Sequence, residues 1–180
     1  MNIANYLTLS RIFLILPVLY LVSDQSSIAN WIALILFVFA GITDQLDGYV
    51  ARKTKTTSSL GALLDLIADK LLICITIIYL LSFNANHDLI FPALVIVSRE
   101  LIVSSFRQFL AERLGNNPIK VSLIAKSKTT VQITALSFLI VSPNFQEIFY
   151  QLTITLFWLA AYISVHSLYE YIKAYRNLIK

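Results

Sequence analysis

The segment TDQLDGYVARKTKTTSSLGALLDLIADK, residues 43–70, places four carboxylates between two strongly apolar stretches of the chain. These carboxylates are Asp44, Asp47, Asp65 and Asp69. Residues three or four positions apart share one face of a helix, so each half of the segment predicts a pair of acids on one helical face. Acids within apolar helices are rare and mark functional sites. We therefore interpret this segment as the functional centre of the chain.

The composition of the whole chain is that of a membrane protein. Of its 180 residues, 58% are hydrophobic and 13% are charged, whereas soluble domains average about 25% charged residues. A membrane-spanning helix needs about 20 mostly apolar residues, and six stretches qualify: 8–23, 29–51, 58–83, 89–112, 119–142 and 147–175. The sequence therefore predicts an all-α polytopic membrane protein with six transmembrane helices, which form one domain over residues 1–180.

The basic residues are segregated between the two sides that this topology creates. The loops near 24–28, 84–88 and 143–147 contain no Lys or Arg. The side that holds both termini carries Arg52, Lys53, Lys55, Arg113, Lys120, Lys173, Arg176 and Lys180. Because cytoplasmic loops collect Lys and Arg, both termini are predicted to be cytoplasmic. The four carboxylates then lie at the cytoplasmic face.

Four carboxylates that converge repel one another unless positive charge compensates them. Oxygen ligands of this kind suit Mg²⁺ or Mn²⁺, and two such ions can hold both the attacking and the leaving oxygen of a phosphoryl displacement. Within the same segment, Gly48 and Gly61 allow a close approach of a ligand or a helix, and Arg52 can bind a phosphate. The structural alternative is that the acids pair with Arg52, Lys53 and Lys70, while the glycines pack helices.

The spacing of these residues reads D-x₂-D-G-x₂-A-R-x₈-G-x₃-D-x₃-D from Asp44 to Asp69. It resembles the signature of the CDP-alcohol phosphatidyltransferases, in which a CDP-activated lipid donates its phosphatidyl group to an alcohol and CMP leaves. The resemblance implies that Asp44, Asp47, Asp65 and Asp69 bind two divalent ions and that Asp69 is also the catalytic base. It implies that the residues near the CDP-lipid are Asn5, Thr8, Arg11, Gly48, Arg52 and Gly61.

Three further segments resemble the bacterial phosphatidylglycerolphosphate synthases of that family. They are NYLTLSR (5–11), SRELIVSSFRQFLAE (98–112) and AKSKTTVQITAL (125–136). Two positions depart from the pattern: Leu66 stands where many members have Pro, and Ala125 stands where many have Gly. The resemblance implies a homodimer in the bacterial inner membrane, with CDP-diacylglycerol as donor, membrane lipid around it and no nucleic-acid partner.

The acceptor alcohol has to be predicted from basic residues outside the segment. Glycerol 3-phosphate is an anion, so its pocket is expected to contain cations. Four cations interrupt apolar helices: Arg99, Arg107, Lys126 and Lys128. We predict glycerol 3-phosphate as the acceptor, with inositol phosphate, serine and phosphatidylglycerol as alternatives. For Arg99 the alternative role is an ion pair with Glu100.

A small cation transporter is an alternative of a different class. It predicts acids spread through the depth of the membrane, and spans that are broken by glycine or proline. In this sequence the four acids of the segment cluster at one face. The pattern therefore favours an enzyme.

Overall fold

The computed structural model describes residues 3–54, 59–83, 86–114 and 123–179, and within these ranges the chain is helical apart from short connections. The α-helices are α1 (Ile3–Asp24), α2 (Ser27–Thr54), α3 (Ser59–Phe83), α4 (His87–Leu114), α5 (Leu123–Val141) and α6 (Glu147–Ile179). A 3₁₀ turn, Ser142–Asn144, joins α5 to α6. The predicted all-α class is confirmed for this part of the chain.

Among the residues that the structure describes, three helices contain stretches that are long and apolar enough to cross a membrane. These stretches are Leu66–Phe83 in α3, His87–Phe106 in α4 and Glu147–Lys173 in α6. A shorter apolar stretch, Ser27–Thr43, lies in α2. At about 1.5 Å per residue, about 20 helical residues match the hydrocarbon core of a bilayer. These helices fit a membrane-embedded protein, and the predicted number of six spans stays a prediction.

A two-residue turn joins α1 to α2. Gln25 has a φ of 54°, a left-handed conformation that ends α1. Ser26 begins the next helix, because its Oγ accepts a hydrogen bond from the backbone N–H of Ala29 at 3.2 Å. The same hydroxyl donates to Asp24 Oδ2 at 2.7 Å. Serine is a preferred helix N-cap, and so short a turn makes α1 and α2 antiparallel neighbours.

The helices form two compact units. The first consists of Met1–Asn84 with Leu136–Gln151, and the second consists of Ala85–Ala135 with Leu152–Lys180. In the first unit, α1 packs against both α2 and α3. Its buried face carries Ile15, Val18 and Val22, at the three- and four-residue spacing of one helical face. Helix α1 therefore contacts both of the helices that carry the acidic segment.

The second unit is held together by α4, α5 and α6. Its apolar core includes Ile96 of α4 and Ala135 of α5, together with Ala160 and Ala161 of α6. Small residues let helices approach closely in a membrane protein. Polar side chains from all three helices are buried among these apolar residues, and they are described below.

Candidate functional site

The acidic segment is helical over residues 43–54 and again over residues 59–70. Helix α2 continues through Asp44 and Asp47 as far as Thr54, and α3 contains Asp65 and Asp69. The three- and four-residue spacings therefore apply to helical backbone, as the sequence predicts. The side chains of Asp44, Asp47 and Asp65 lie outside the described residues, so the convergence of the four carboxylates stays a prediction.

Asp69 is the carboxylate of the segment whose surroundings are described. Its side chain is 35% exposed, and its Oδ2 lies 3.5 Å from Nζ of Lys70. Ion pairs as accessible as this one contribute little to stability, about 0–1 kcal/mol. The position is partly open, so the carboxylate can receive a proton or bind a metal ion there.

Leu66, one of the two departures from the family pattern, lies within the continuous helix α3. It is 37% exposed. A helix interior accepts leucine readily, whereas proline removes one backbone hydrogen bond. The leucine therefore fits the helix that carries Asp65 and Asp69. Ala125, the other departure, has its side chain outside the described residues.

Thr8 and Arg11 extend the buried face of α1. Thr8 is 4% exposed and Arg11 is 0% exposed. A buried guanidinium is costly without anionic or hydrogen-bonding partners, and α1 packs against both helices that carry the acidic segment. Gly61 lies in the first turn of α3 and is half-buried. These positions belong to the same unit as the acidic segment, as expected for a common site.

The remaining residues predicted near the donor have side chains that are not described. These residues are Asn5, Gly48 and Arg52. Their backbone is helical, in α1 for Asn5 and in α2 for Gly48 and Arg52. Their predicted roles stay predictions.

Two of the four predicted acceptor cations meet at one buried carboxylate in the second unit. Arg99 Nη1 donates to Glu100 Oε1 at 3.3 Å, and Lys128 Nζ donates to the same oxygen. The exposed fractions are 6% for Arg99, 2% for Glu100 and 5% for Lys128. The contact between Arg99 and Glu100 is the ion pair that the sequence predicts as the alternative role of Arg99. The side chains of Arg107 and Lys126 lie outside the described residues.

Three uncharged side chains complete this buried cluster. Gln132 Nε2 donates to Glu100 Oε1 at 3.3 Å and to Ser164 Oγ at 3.2 Å. Arg99 Nη2 donates to Ser167 Oγ at 2.8 Å. We call Arg99, Glu100, Lys128, Gln132, Ser164 and Ser167 the Glu100 cluster. It joins α4, α5 and α6 through polar contacts inside an apolar unit.

The sequence interpretation did not include Gln132, Ser164 or Ser167. A signal was present for Gln132, because it lies four residues after Lys128 and therefore shares a helical face with it. The serines of α6 are three residues apart, and serine is common in membrane helices as a hydrogen-bonding group. Their connection to Arg99 and Gln132 has no local signal, because it joins residues distant in the chain.

Comparison with known proteins gives consistent matches over nearly the whole chain. Residues 1–166 match the family model described as CDP-alcohol phosphatidyltransferase. The chain is 40% identical over 176 residues to the CDP-diacylglycerol--glycerol-3-phosphate 3-phosphatidyltransferase of Rickettsia typhi, covering 96% of each chain. It is 42% identical over 175 residues to the protein of that name from Rickettsia felis, covering 96% of this chain and 94% of the relative. The protein of that name from Haemophilus influenzae is 35% identical over 176 residues, with coverage of 96% and 92%.

Proposed function

This chain belongs to the CDP-alcohol phosphatidyltransferase family, and from that premise we propose that it transfers the phosphatidyl group of CDP-diacylglycerol to glycerol 3-phosphate. The products are phosphatidylglycerol phosphate and CMP, so the reaction is a step of phospholipid biosynthesis. The observation that carries the proposal is the match to relatives of that named activity at 35–42% identity, over more than nine-tenths of this chain in the comparisons above. The protein is a membrane-embedded enzyme, since it combines the family's domain with long apolar helices.

The family generally depends on divalent metal, and the acidic segment has a donor set that fits such ions. It offers four carboxylates on helical backbone, and carboxylate oxygens are the ligands that Mg²⁺ and Mn²⁺ prefer. We propose that Asp44, Asp47, Asp65 and Asp69 hold two Mg²⁺ or Mn²⁺ ions. When bound, such ions stabilise negative charge on the reacting phosphate oxygens.

The protein groups supply the remaining steps of the proposed reaction. The Asp69 carboxylate accepts the proton of the acceptor hydroxyl, and that oxygen forms a bond to the phosphatidyl phosphorus. The bond between this phosphorus and the bridging diphosphate oxygen breaks, and CMP leaves with the electron pair. Arg52 binds the diphosphate, because a guanidinium group forms paired hydrogen bonds with phosphate oxygens, and Gly48 and Gly61 border the CMP and the diphosphate. Asn5, Thr8 and Arg11 lie near the nucleotide.

The acceptor phosphate is proposed to bind to Arg99, Arg107, Lys126 and Lys128. Arg99 and Lys128 support this role because both are buried, and because their two positive charges exceed the single negative charge of Glu100, with which both pair. Cations buried in an apolar unit are costly and are typical of functional positions. Inositol phosphate has a similar charge and is the closest competing acceptor. Serine lacks a phosphate, and phosphatidylglycerol has only a diester.

An acceptor comparison tests the proposed reaction. Purified protein in detergent receives CDP-diacylglycerol, Mg²⁺ and one acceptor: glycerol 3-phosphate, inositol phosphate, serine or phosphatidylglycerol. We expect CMP release with glycerol 3-phosphate to exceed that with serine or phosphatidylglycerol by about a hundredfold, because a site built for a charged group rejects ligands that leave its cations unpaired. The excess over inositol phosphate, which has a similar charge, should be smaller. Faster turnover with another acceptor would contradict the proposal.

We also propose six membrane spans with both termini and the active site at the cytoplasmic face of the bacterial inner membrane. The segregation of Lys and Arg supports this orientation. After Cys74→Ala, single cysteines are introduced as Glu147→Cys and Lys173→Cys. In intact cells an impermeant maleimide is expected to label position 147 and to label position 173 only after permeabilisation. The opposite labelling would reverse the orientation.

Residues 1–180 are proposed to act as one membrane domain, because the family match over 1–166 includes residues of both compact units. The family resemblance further leads us to propose a homodimer. Light scattering of the purified protein in detergent checks that assembly by its mass, and a monomer mass would contradict it.

A further inference from the structure

Glu100 is the residue at which three buried polar side chains of the second unit meet. Its Oε1 accepts hydrogen bonds from Arg99, Lys128 and Gln132. We propose that Glu100 is a positioning residue, which holds Arg99 and Lys128 in the arrangement that binds the phosphate of the acceptor. This inference rests on the proposed function and adds a residue to it.

The energetic cost of the charged groups in this cluster depends on how they are arranged, because all of them are buried. Glu100, Lys128 and Arg99 are each less than one-tenth exposed. A single charge in such surroundings is strongly disfavoured, and a hydrogen-bonded partner of opposite sign offsets much of that cost. Glu100 therefore allows two cations from different helices, α4 and α5, to remain charged side by side.

The contacts of the neutral residues fix the carboxylate in place. Gln132 bridges Glu100 Oε1 and Ser164 Oγ, and Ser164 in turn donates to the backbone carbonyl of Ala160 at 2.7 Å. On the other side, Ser167 accepts from Arg99 Nη2 at 2.8 Å. Contacts with α6 thus help to orient Arg99 directly and Glu100 through Gln132, in addition to the contacts between the charged groups. Preorganised cations of this kind bind an anion without first being rearranged.

The charge of the trio favours an anionic ligand. Arg99 and Lys128 bring two positive charges against the single negative charge of Glu100. A guanidinium and an ammonium also carry many more N–H donors than one carboxylate oxygen accepts. Arg99 and Lys128 can therefore bind a phosphate group while they remain hydrogen-bonded to Glu100. In this arrangement Glu100 does not touch the acceptor itself, and it acts through Arg99 and Lys128.

Two substitutions of Glu100 separate positioning from simple charge balance. Glu100→Asp keeps the negative charge and shortens the side chain by one methylene. Glu100→Gln removes the charge and keeps the length of the side chain. The matched control is Glu147→Gln, which makes the same chemical change at an exposed glutamate near the start of α6. The thermal midpoint of each purified protein is measured first, then the KM for glycerol 3-phosphate and the KM for CDP-diacylglycerol.

We expect Glu100→Asp to fold and to raise the KM for glycerol 3-phosphate by about tenfold. Glu100→Gln should raise the same KM by about thirtyfold or more. Misplaced or broken buried charge pairs weaken binding to that extent. The KM for CDP-diacylglycerol should change by less than about twofold, and Glu147→Gln should match the wild type. Inorganic phosphate should compete with glycerol 3-phosphate about tenfold less effectively in Glu100→Asp.

The proposal is overturned if Glu100→Asp leaves the KM for glycerol 3-phosphate unchanged, if it raises both KM values equally, or if it prevents folding. Each of these results would assign Glu100 a structural role. If Glu100→Gln fails to fold, Glu100→Asp decides the question. If the wild-type protein uses another acceptor, the proposed function is wrong, and the same KM comparison is then made with that acceptor.

Discussion

Asp69→Asn is expected to reduce turnover by at least about a thousandfold while the protein remains folded. Asparagine has nearly the shape of aspartate, but it carries no negative charge and accepts no proton at neutral pH. General bases contribute about 10²–10⁴-fold to rates, and loss of an anionic metal ligand adds to that effect. The measurements are the rate of CMP release and the thermal midpoint of the purified variant.

The structure explains why folding should survive this substitution. The Asp69 side chain is 35% exposed and pairs with Lys70 across 3.5 Å, a contact too accessible to contribute much stability. Lys70→Met is the matched control, because it removes the same ion pair and keeps the carboxylate. That variant should retain turnover within about threefold. Near-normal activity of Asp69→Asn would remove Asp69 as the base.

Removal of divalent metal is expected to abolish turnover as completely as the loss of Asp69. With EDTA in excess, CMP release should fall below about one-thousandth of its initial rate, because four carboxylates without metal repel one another and the phosphate charge is not neutralised. Added Mg²⁺ or Mn²⁺ should restore the rate. Unchanged turnover in EDTA would contradict the proposed metal site.

A stability measurement separates metal binding from catalysis. A ligand that binds the folded state raises its thermal midpoint, so Mg²⁺ should raise the midpoint of the wild-type protein. In Asp69→Asn the rise should be smaller, because one ligand has lost its charge. Titration with Mn²⁺, followed by its electron paramagnetic resonance signal, gives the number of ions per chain. We expect two, and binding of a single ion would exclude the two-metal arrangement.

The helices follow from local sequence, because apolar length and helical spacing are properties of neighbouring residues. The apolar stretch 29–51 predicts a helix, and the structure contains that helix within α2. The helix continues as far as Thr54, since Arg52 and Lys53 have a high intrinsic helix propensity. The same reasoning covers α6, which extends to Ile179, beyond the predicted end at 175.

The sequence by itself indicated the reaction class of this protein, because the motif from Asp44 to Asp69 resembles the signature of the CDP-alcohol phosphatidyltransferases. The spacing of Asp44, Asp47, Asp65 and Asp69 on two helices is a local pattern, and the family match agrees with it. Local patterns of this kind can be interpreted from the sequence because helical geometry fixes which positions share a face.

Only the tertiary structure decided how Lys128 and Ser167 join Arg99 and Glu100 in the Glu100 cluster. Lys128 lies 28 residues from Glu100, and Ser167 lies 68 residues from Arg99. No helical period relates positions so far apart, and only the packing of α4, α5 and α6 brings them within hydrogen-bonding distance. Isolated charges are disfavoured inside an apolar unit. The packing of α4, α5 and α6 places both cations beside the carboxylate of Glu100, which offsets that cost.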